Sequence, residues 1–225
     1  MDEPDSLATR YTTLAGDHVH ELEIRRSRFI AYLRRAETEA AARALVAELR
    51  KAHFDARHHC SAFVLGADRA IQRSSDDGEP SGTAGAPMLE ALTRRETAPR
   101  RADLSDVAVV VVRYFGGVLL GAGGLVRAYS ESVSAALDGA ALIRRQRMRL
   151  FGIAAEHSVA GRLENELRAA GTDLLGTDYG AAAATLRVAL PDDPEAVAAF
   201  SARLATLTAG AASAVPAGTR WVDLP

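Results

Sequence analysis

Charged and apolar residues alternate from His18 onward. Leu22 and Ile24, then Phe29, Ala31 and Leu33, point one way between polar neighbours, and this period of two predicts two strands or one bent strand. The period then becomes helical. In "TEAAARALVAELRKAH" Ala42, Leu45, Val46 and Leu49 share a face, which predicts a helix over 38–52 with the Thr38 hydroxyl capping its start. "CSAFVLGADRAIQRSS" reads as two short strands joined by a polar turn at 66–68. "TAGAPMLEALTRR" predicts a second helix, capped by Thr83, in which Pro87 is tolerable because it falls in the first turn. "VAVVVV" from Val107 is apolar on both faces and predicts a strand at the centre of its sheet. After a glycine-rich loop, Leu125, Tyr129, Val133 and Leu137 form another helical stripe, ending near Gly139. Strands and helices in this irregular order predict an α+β layer fold rather than a doubly wound one.

"RRQRMR", at 144–149, interrupts the pattern and is expected to be a domain junction. Beyond it the elements run strand (about 149–156), helix with the stripe Leu163 and Leu167, strand (174–179), strand ("AATLRVAL"), helix ("DPEAVAAFSARLATL") and strand ("VPAGTRWVDL"). That βαββαβ order is the one a ferredoxin-like domain requires, and Gly171, Gly180 and Pro191 stand where its turns belong. The expected organisation is a mobile lead-in over 1–17, an amino-terminal domain over 18–143 and a ferredoxin-like carboxy-terminal domain over 147–225.

Composition narrows the function classes. With 48% hydrophobic and 25% charged residues the chain can bury a core. No apolar run approaches the roughly 20 residues of a membrane helix, and "MDEPDSLATR" lacks the basic-then-apolar start of a secretory signal. The expectation is a cytoplasmic protein with no membrane partner. A single cysteine, Cys60, excludes an internal disulfide framework and a thiolate metal cluster within one chain. The formal charge is −2, with 7 Lys/Arg and 9 Asp/Glu in 147–225 and 20 of each upstream. No DNA specificity is implied, and any nucleic-acid surface must be a local patch.

Three stretches carry candidate chemistry. In "VVVVRYFGGVLLGAGGLVRAYS", 109–130, Gly116 and Gly121 match the outer glycines of a P-loop, but Ala122 and Gly123 stand where Lys and Ser/Thr must hold phosphate and magnesium. A dinucleotide fingerprint fails at Val126, where a third small residue is needed. What survives is a general anion site. Gly116, Gly117, Gly121, Gly123 and Gly124 leave backbone N–H groups bare before a helix, with Arg113 and Arg127 flanking them and Tyr114 alongside; the bland alternative is glycine for close packing or left-handed turns. In "RSSDDGEPSGTAGAP", Asp76, Asp77 and Glu79, with Ser81 and Thr83, either share Mg²⁺ or cap backbone N–H groups. In "RHHC", successive residues on a strand face opposite ways, so His58, His59 and Cys60 cannot form one site; Cys60 is expected in the core, one histidine inside, and His58 is a pocket candidate.

"ARHHCSAFVLG", "SDDGEPSGTAGAPML" and "VVVVRYFGGVLLGAGGLVRAY", in this order and preceded by "RRSRFIAYL", resemble the bacterial YigZ-like branch of the IMPACT family. The resemblance covers about 25–130. It implies a first domain similar to domain 2 of ribosomal protein S5 and a second similar to a late ferredoxin-like domain of elongation factor G. It also implies an association with translation, with RNA or a ribosome-associated factor as partner. Eukaryotic relatives regulate translation by binding a partner of a stress kinase through a further amino-terminal domain; only a short lead-in precedes the first strand here, so that role is not expected to carry over. Nor do the residues support the dipeptidase label given to some bacterial relatives, because no di-metal ligand set or nucleophile frame is present. Two expectations follow. One is a noncatalytic RNA- or ribosome-binding protein whose glycine loop, Arg113, Arg127, acidic loop and His58 converge on one anion-binding pocket, with Tyr114 or Phe115 stacking on a base. The other is a small-molecule phosphotransfer or hydrolase enzyme, since the S5-type fold is shared with sugar and mevalonate kinases; there the acidic loop holds Mg²⁺.

Overall fold

The computed structural model describes residues 8–224. Strand β1 (Arg10–Leu14) lies within the stretch expected to be a lead-in. Its sequence is too short to show a period, and it is held by residues far along the chain. The Thr12 N–H donates to the Asp103 carbonyl at 3.1 Å, the Ser105 N–H donates to the Thr12 carbonyl at 2.9 Å, and the Tyr11 hydroxyl donates to the buried Asp106 carboxylate. Tyr11 and Leu14 are thereby core residues. The lead-in expectation fails at 10–14, and residues 1–7 lie outside the described residues.

The alternating segment forms two strands, β2 (His18–Ile24) and β3 (Ser27–Arg35), paired antiparallel. Ile24 faces Ser27 across the pair, which leaves Arg25 and Arg26 as a two-residue turn with φ of 48° and 65°. Positive φ at both central residues is what a type I′ hairpin turn demands, and Asn-Gly is its usual solution. Helix α1 (Glu39–Ala52) follows, with Thr38 Oγ1 accepting the Ala41 N–H at 3.1 Å as expected. Then come β4 (His58–Leu65), β5 (Ile71–Ser75), α2 (Gly85–Arg94), β6 (Val107–Tyr114) and α3 (Ala122–Gly139).

The sheet order is β2-β3-β6-β4-β5, antiparallel throughout, so the all-apolar β6 takes the centre. Alternate side chains leave its two faces. Val107, Val109 and Val111 pack with Met88 of α2 and Tyr129 and Val133 of α3, whereas Ala108, Val110 and Val112 pack with Leu45 and Leu49 of α1. The strand needs valine on both faces because helices cover both, each buried valine contributing about 1.5 kcal/mol.

The chain divides into two compact units at Arg144/Arg145, inside β7 (Leu142–Ala155). The second unit continues with α4 (His157–Ala169), β8 (Asp173–Tyr179), β9 (Ala184–Pro191), α5 (Pro194–Leu207) and β10 (Ala214–Leu224). β9 pairs with β7 and β8, and β10 with β7, while Leu163, Leu167, Phe200 and Leu204 of the helices cover Phe151, Ile153, Leu186 and Val188. This is the ferredoxin-like arrangement expected. "RRQRMR" does not interrupt it. The run is strand throughout, although the two units divide within it, and three of its four arginines are held by carboxylates: Arg147 and Arg149 share Asp192, and Arg145 pairs with Asp223. No helix among the described residues is long and apolar enough to cross a membrane.

Two glycines separate close packing from mere permissiveness. A Cβ on Gly116 would lie 2.0 Å from the Arg26 carbonyl carbon and oxygen, whereas one on Gly123, in the first turn of α3, meets nothing within 4 Å. Gly116→Ala is expected to cost about 2 kcal/mol or more through backbone displacement, and Gly123→Ala to add about 0.5 kcal/mol through helix propensity. Chemical denaturation of the two variants beside the parent checks both; equal stabilities would contradict the packing argument.

Candidate functional site

The acidic loop folds back on itself. Asp76 Oδ1 accepts the N–H groups of Ala84 (3.0 Å) and Gly85 (2.8 Å), and Oδ2 accepts that of Gly82 (2.8 Å), so this carboxylate caps α2 from outside the helix. Thr83 does not cap it. The helix boundary falls at Ala84, and the Thr83 hydroxyl donates instead to the Pro80 carbonyl at 2.6 Å. The local capping rule failed because an acid several residues upstream satisfies the same donors. Burial pushes the Asp76 pKa up, but the Gly82, Gly85 and Ala84 N–H groups outweigh it and hold the carboxyl below its usual range. Asp77 accepts the His59 N–H at 2.6 Å and pairs with Arg50, while its carbonyl lies 2.9 Å from His58 Nδ1. Ser81 is exposed.

Glu79 turns inward. Its Oε1 accepts Arg113 Nη1 at 2.6 Å and the Tyr129 hydroxyl at 2.8 Å, and His58 Nε2 lies 3.9 Å away. The strand register explains the meeting, since His58 faces Arg113 and Cys60 faces Val111, which puts both β4 residues on the sheet face covered by α2 and α3. The Arg113 and Glu79 side chains are only 6% and 4% exposed. The Arg113 guanidinium also lies 5.3 Å from the Phe29 ring centroid and 5.7 Å from that of Phe115. Burial pushes the Cys60 thiol up to about 12 and drives the Tyr129 phenol far above its ordinary value. Neither is a nucleophile near neutral pH. Cys60 is the core residue expected, with its thiol 2.9 Å from the Asp76 carbonyl. His59 is the inward histidine, and burial lowers its pKa.

These carboxylates do not suit Mg²⁺. Asp76 is saturated by backbone donors, Glu79 Oε1 by Arg113 and Tyr129, and Asp77 by Arg50 and the His59 amide. Among the described residues no three His, Cys, Asp or Glu side chains are grouped to hold a metal. No step of a reaction is derived through the acidic loop.

The glycine loop builds a separate, outward surface. Gly116 packs on Arg26, its N–H donating to Ser27 Oγ at 3.2 Å; Gly117 and Gly121 take φ of 83° and 71°. Gly121 starts α3 without a side-chain cap, and Gly123 and Gly124, expected in the loop, already belong to the first helical turn. The Leu125 N–H is the one that reaches the Gly121 carbonyl, at 2.9 Å, leaving the amides of Ala122, Gly123 and Gly124 as the unbonded donors of a helix start. Arg25 and Arg127, with Leu120, Gly124 and Glu131, line an adjoining hollow of about 200 Å³. Arg25, Arg26 and Arg127 form no ion pair with another described residue, and exposed Arg57 meets only the Phe115 ring, at 5.8 Å.

The residues expected to share one pocket therefore occupy two places. Arg113, His58, Glu79 and the acidic loop form a buried knot, while Arg127 and the glycines form an exposed rim. Tyr114 belongs to neither: it follows Arg113 on the strand and so leaves the opposite face, where its hydroxyl meets His53 Nδ1 at 2.9 Å and donates to Asp55 at 3.2 Å. Arg25, Arg26 and Arg57 were not foreseen. The "RR" between two alternating segments was the available signal, but a turn without Gly, Asn or Asp does not announce itself.

Comparison with known proteins is consistent along the chain. Residues 25–137 match the family described as the Impact N-terminal domain, and residues 153–211 a domain of unknown function, DUF1949. The chain is 46% identical over 158 residues to IMPACT family member YvyE of Bacillus subtilis (strain 168), covering 70% of each protein. It is 41% identical over 190 residues to IMPACT family member YigZ of Escherichia coli (strain K12), covering 84% of this chain and 88% of that one. A crystal structure described as that of an hypothetical protein shares 37% identity at a TM-score of 0.62, covering 93% of this chain and 98% of that one.

Two outcomes test the knot. Glu79→Gln leaves the Arg113 cation buried without its counter-ion and is expected to cost about 3 kcal/mol. Adding Arg113→Met removes that cation and should restore at least half, so denaturant midpoints of single and double variants reveal the coupling; additive losses would refute it. Asp76, with its lowered folded pKa, contributes stability above the unfolded carboxylate pKa that disappears as pH falls through the folded value. Asp76→Asn should accordingly be less stable than the parent at neutral pH, with the two curves converging in acid. A constant gap down to the acid limit would show that its charge is not involved.

Proposed function

The chain belongs to the IMPACT family, and from that premise we propose that it is a noncatalytic, translation-associated protein that binds RNA, free or on the ribosome, through the arginine rim around its glycine loop. The observation that carries this reading is the Arg25–Arg26 turn. Left-handed backbone at two consecutive non-glycine residues costs on the order of 1–3 kcal/mol each, and nothing in the fold needs arginine there. Several other arginines of the unit are used in ion pairs: Arg28 with Glu21, Arg34 with Asp17 and Glu48, Arg50 with Asp77, Arg95 with Asp138. Arg25, Arg26 and Arg127 stay bare beside the open amides of α3. Guanidinium groups and helix-start amides are the donors that phosphate recruits, and a local patch suffices in a chain whose formal charge is −2. In the buried knot burial keeps the Cys60 thiol and the Tyr129 phenol protonated, so neither serves as a nucleophile, which supports binding over catalysis. We read the protein as cytoplasmic because the proposed partner, RNA free or on the ribosome, is found there.

Stability and binding should move in opposite directions in one variant. Arg25→Asn combined with Arg26→Gly installs the residues a type I′ turn prefers and is expected to raise stability by about 1–2 kcal/mol. The same variant should bind RNA more weakly, because two phosphate contacts are gone. For the parent, roughly three phosphates at about −0.7 each predict a slope near −2 of log affinity against log salt, and the double variant, with one contact left, should fall to about −0.7, while an Arg73→Ala control should not change. Affinity that ignores salt, or a stabilised variant that binds as tightly as the parent, overturns the proposal.

A further inference from the structure

Phe115 opens the glycine loop directly after β6 and is 38% exposed, with Leu119 further along the loop at 81%. Its backbone continues into Gly116, which is pressed against Arg26, so the ring and the turn arginines belong to one surface. Two guanidinium groups attend the ring. That of Arg113, 5.7 Å from the centroid, is anchored by Glu79; that of Arg57, 5.8 Å away, is exposed and held by no carboxylate. The ring is thus braced by an immobile cation and accompanied by a movable one. We infer that the rim takes single-stranded RNA, with an unpaired base stacked on Phe115 and covered by the Arg57 guanidinium while Arg25, Arg26 and Arg127 hold the flanking phosphates. The inference rests on the RNA-binding reading above and refines it.

Phosphate contacts alone do not call for an aromatic side chain. In an A-form duplex the bases are stacked on one another and its surface offers sugars and phosphates, so an apolar ring amid arginines would only be desolvated against charge. An unpaired base offers a π-face to both the ring and a planar guanidinium, and such stacking tolerates any base. Anionic lipid is the competing occupant, because basic residues beside exposed Phe and Leu also suit a membrane surface. The geometry favours the base. Phe115 is braced in one orientation by a buried ion pair, which stacking requires and insertion among lipid tails does not.

The test uses the full chain and fluorescence anisotropy with a 12-nucleotide uridine oligomer, an RNA duplex of matched phosphate count, and phosphatidylserine vesicles as competitor. The expected result is single-strand binding at least fivefold tighter than duplex binding. Phe115→Leu, which keeps apolar volume but removes the π-face, should weaken the single-strand complex roughly tenfold, about what one base–aromatic stack contributes, and Phe115→Tyr should restore it. Arg57→Ala should weaken it less. Equal affinity for the two RNA forms with a preserved salt slope, or an unaltered Phe115→Leu, overturns the stacking inference and leaves the phosphate reading standing. Binding to neither RNA, with capture by the vesicles, overturns both.

Discussion

Glu79 Oε1 receives Arg113 at 2.6 Å and the Tyr129 hydroxyl at 2.8 Å, and through those bonds the acidic loop, the end of β6 and the second turn of α3 are tied at one atom. Such a pair is weak evidence of stability, since taking two charges out of water offsets most of their attraction. Its effect is geometric. With Glu79 in place Arg113 lies against Phe29 and Phe115; Phe115 leads into Gly116; and Gly116 abuts the carbonyl of Arg26. The exposed rim hangs from the buried knot through this sequence of contacts.

The rest of the acidic loop follows the same logic. Asp76 closes over the start of α2 and Asp77 binds the backbone of β4 and the guanidinium of Arg50, so each carboxylate is used to hold chain rather than to meet solvent or metal. A loop carrying three acids in four positions would otherwise repel itself. Dispersing the charges onto backbone donors and two arginines removes the repulsion and fixes the loop against the sheet that carries Arg113.

What could be read in advance was whatever depends on local period. β6 and the stripe of α3 were plain because burial on two faces and on one face leave different patterns, and the βαββαβ order of the second unit followed from element succession alone. The YigZ-like resemblance agrees with the family to which the chain belongs. Failures came where distant residues decide. β1 is held by 103–106, α2 is capped by Asp76 rather than Thr83, and the "RRQRMR" run, though the two units do divide within it, is strand with Asp192 and Asp223 holding three of its arginines. Strand alternation alone sends Tyr114 to the face opposite Arg113, where its hydroxyl meets His53 and Asp55.

The rim itself shows why a surface cluster of arginines is hard to find from sequence. Its glycines suggested a phosphate loop, yet Gly116 is there for the close approach of Arg26, and Gly121, Gly123 and Gly124 make a helix start with no side chain over its amides. The cations come from elsewhere: Arg25 and Arg26 from a strained hairpin turn, Arg57 from the approach to β4, Arg127 from within α3. None of these positions is marked by period or motif. Only the antiparallel neighbourhood of β3, β4 and β6 gathers them at one end of the sheet. A turn of Asn-Gly would fold more readily, so two arginines in a left-handed backbone are the feature on which the phosphate-binding proposal rests.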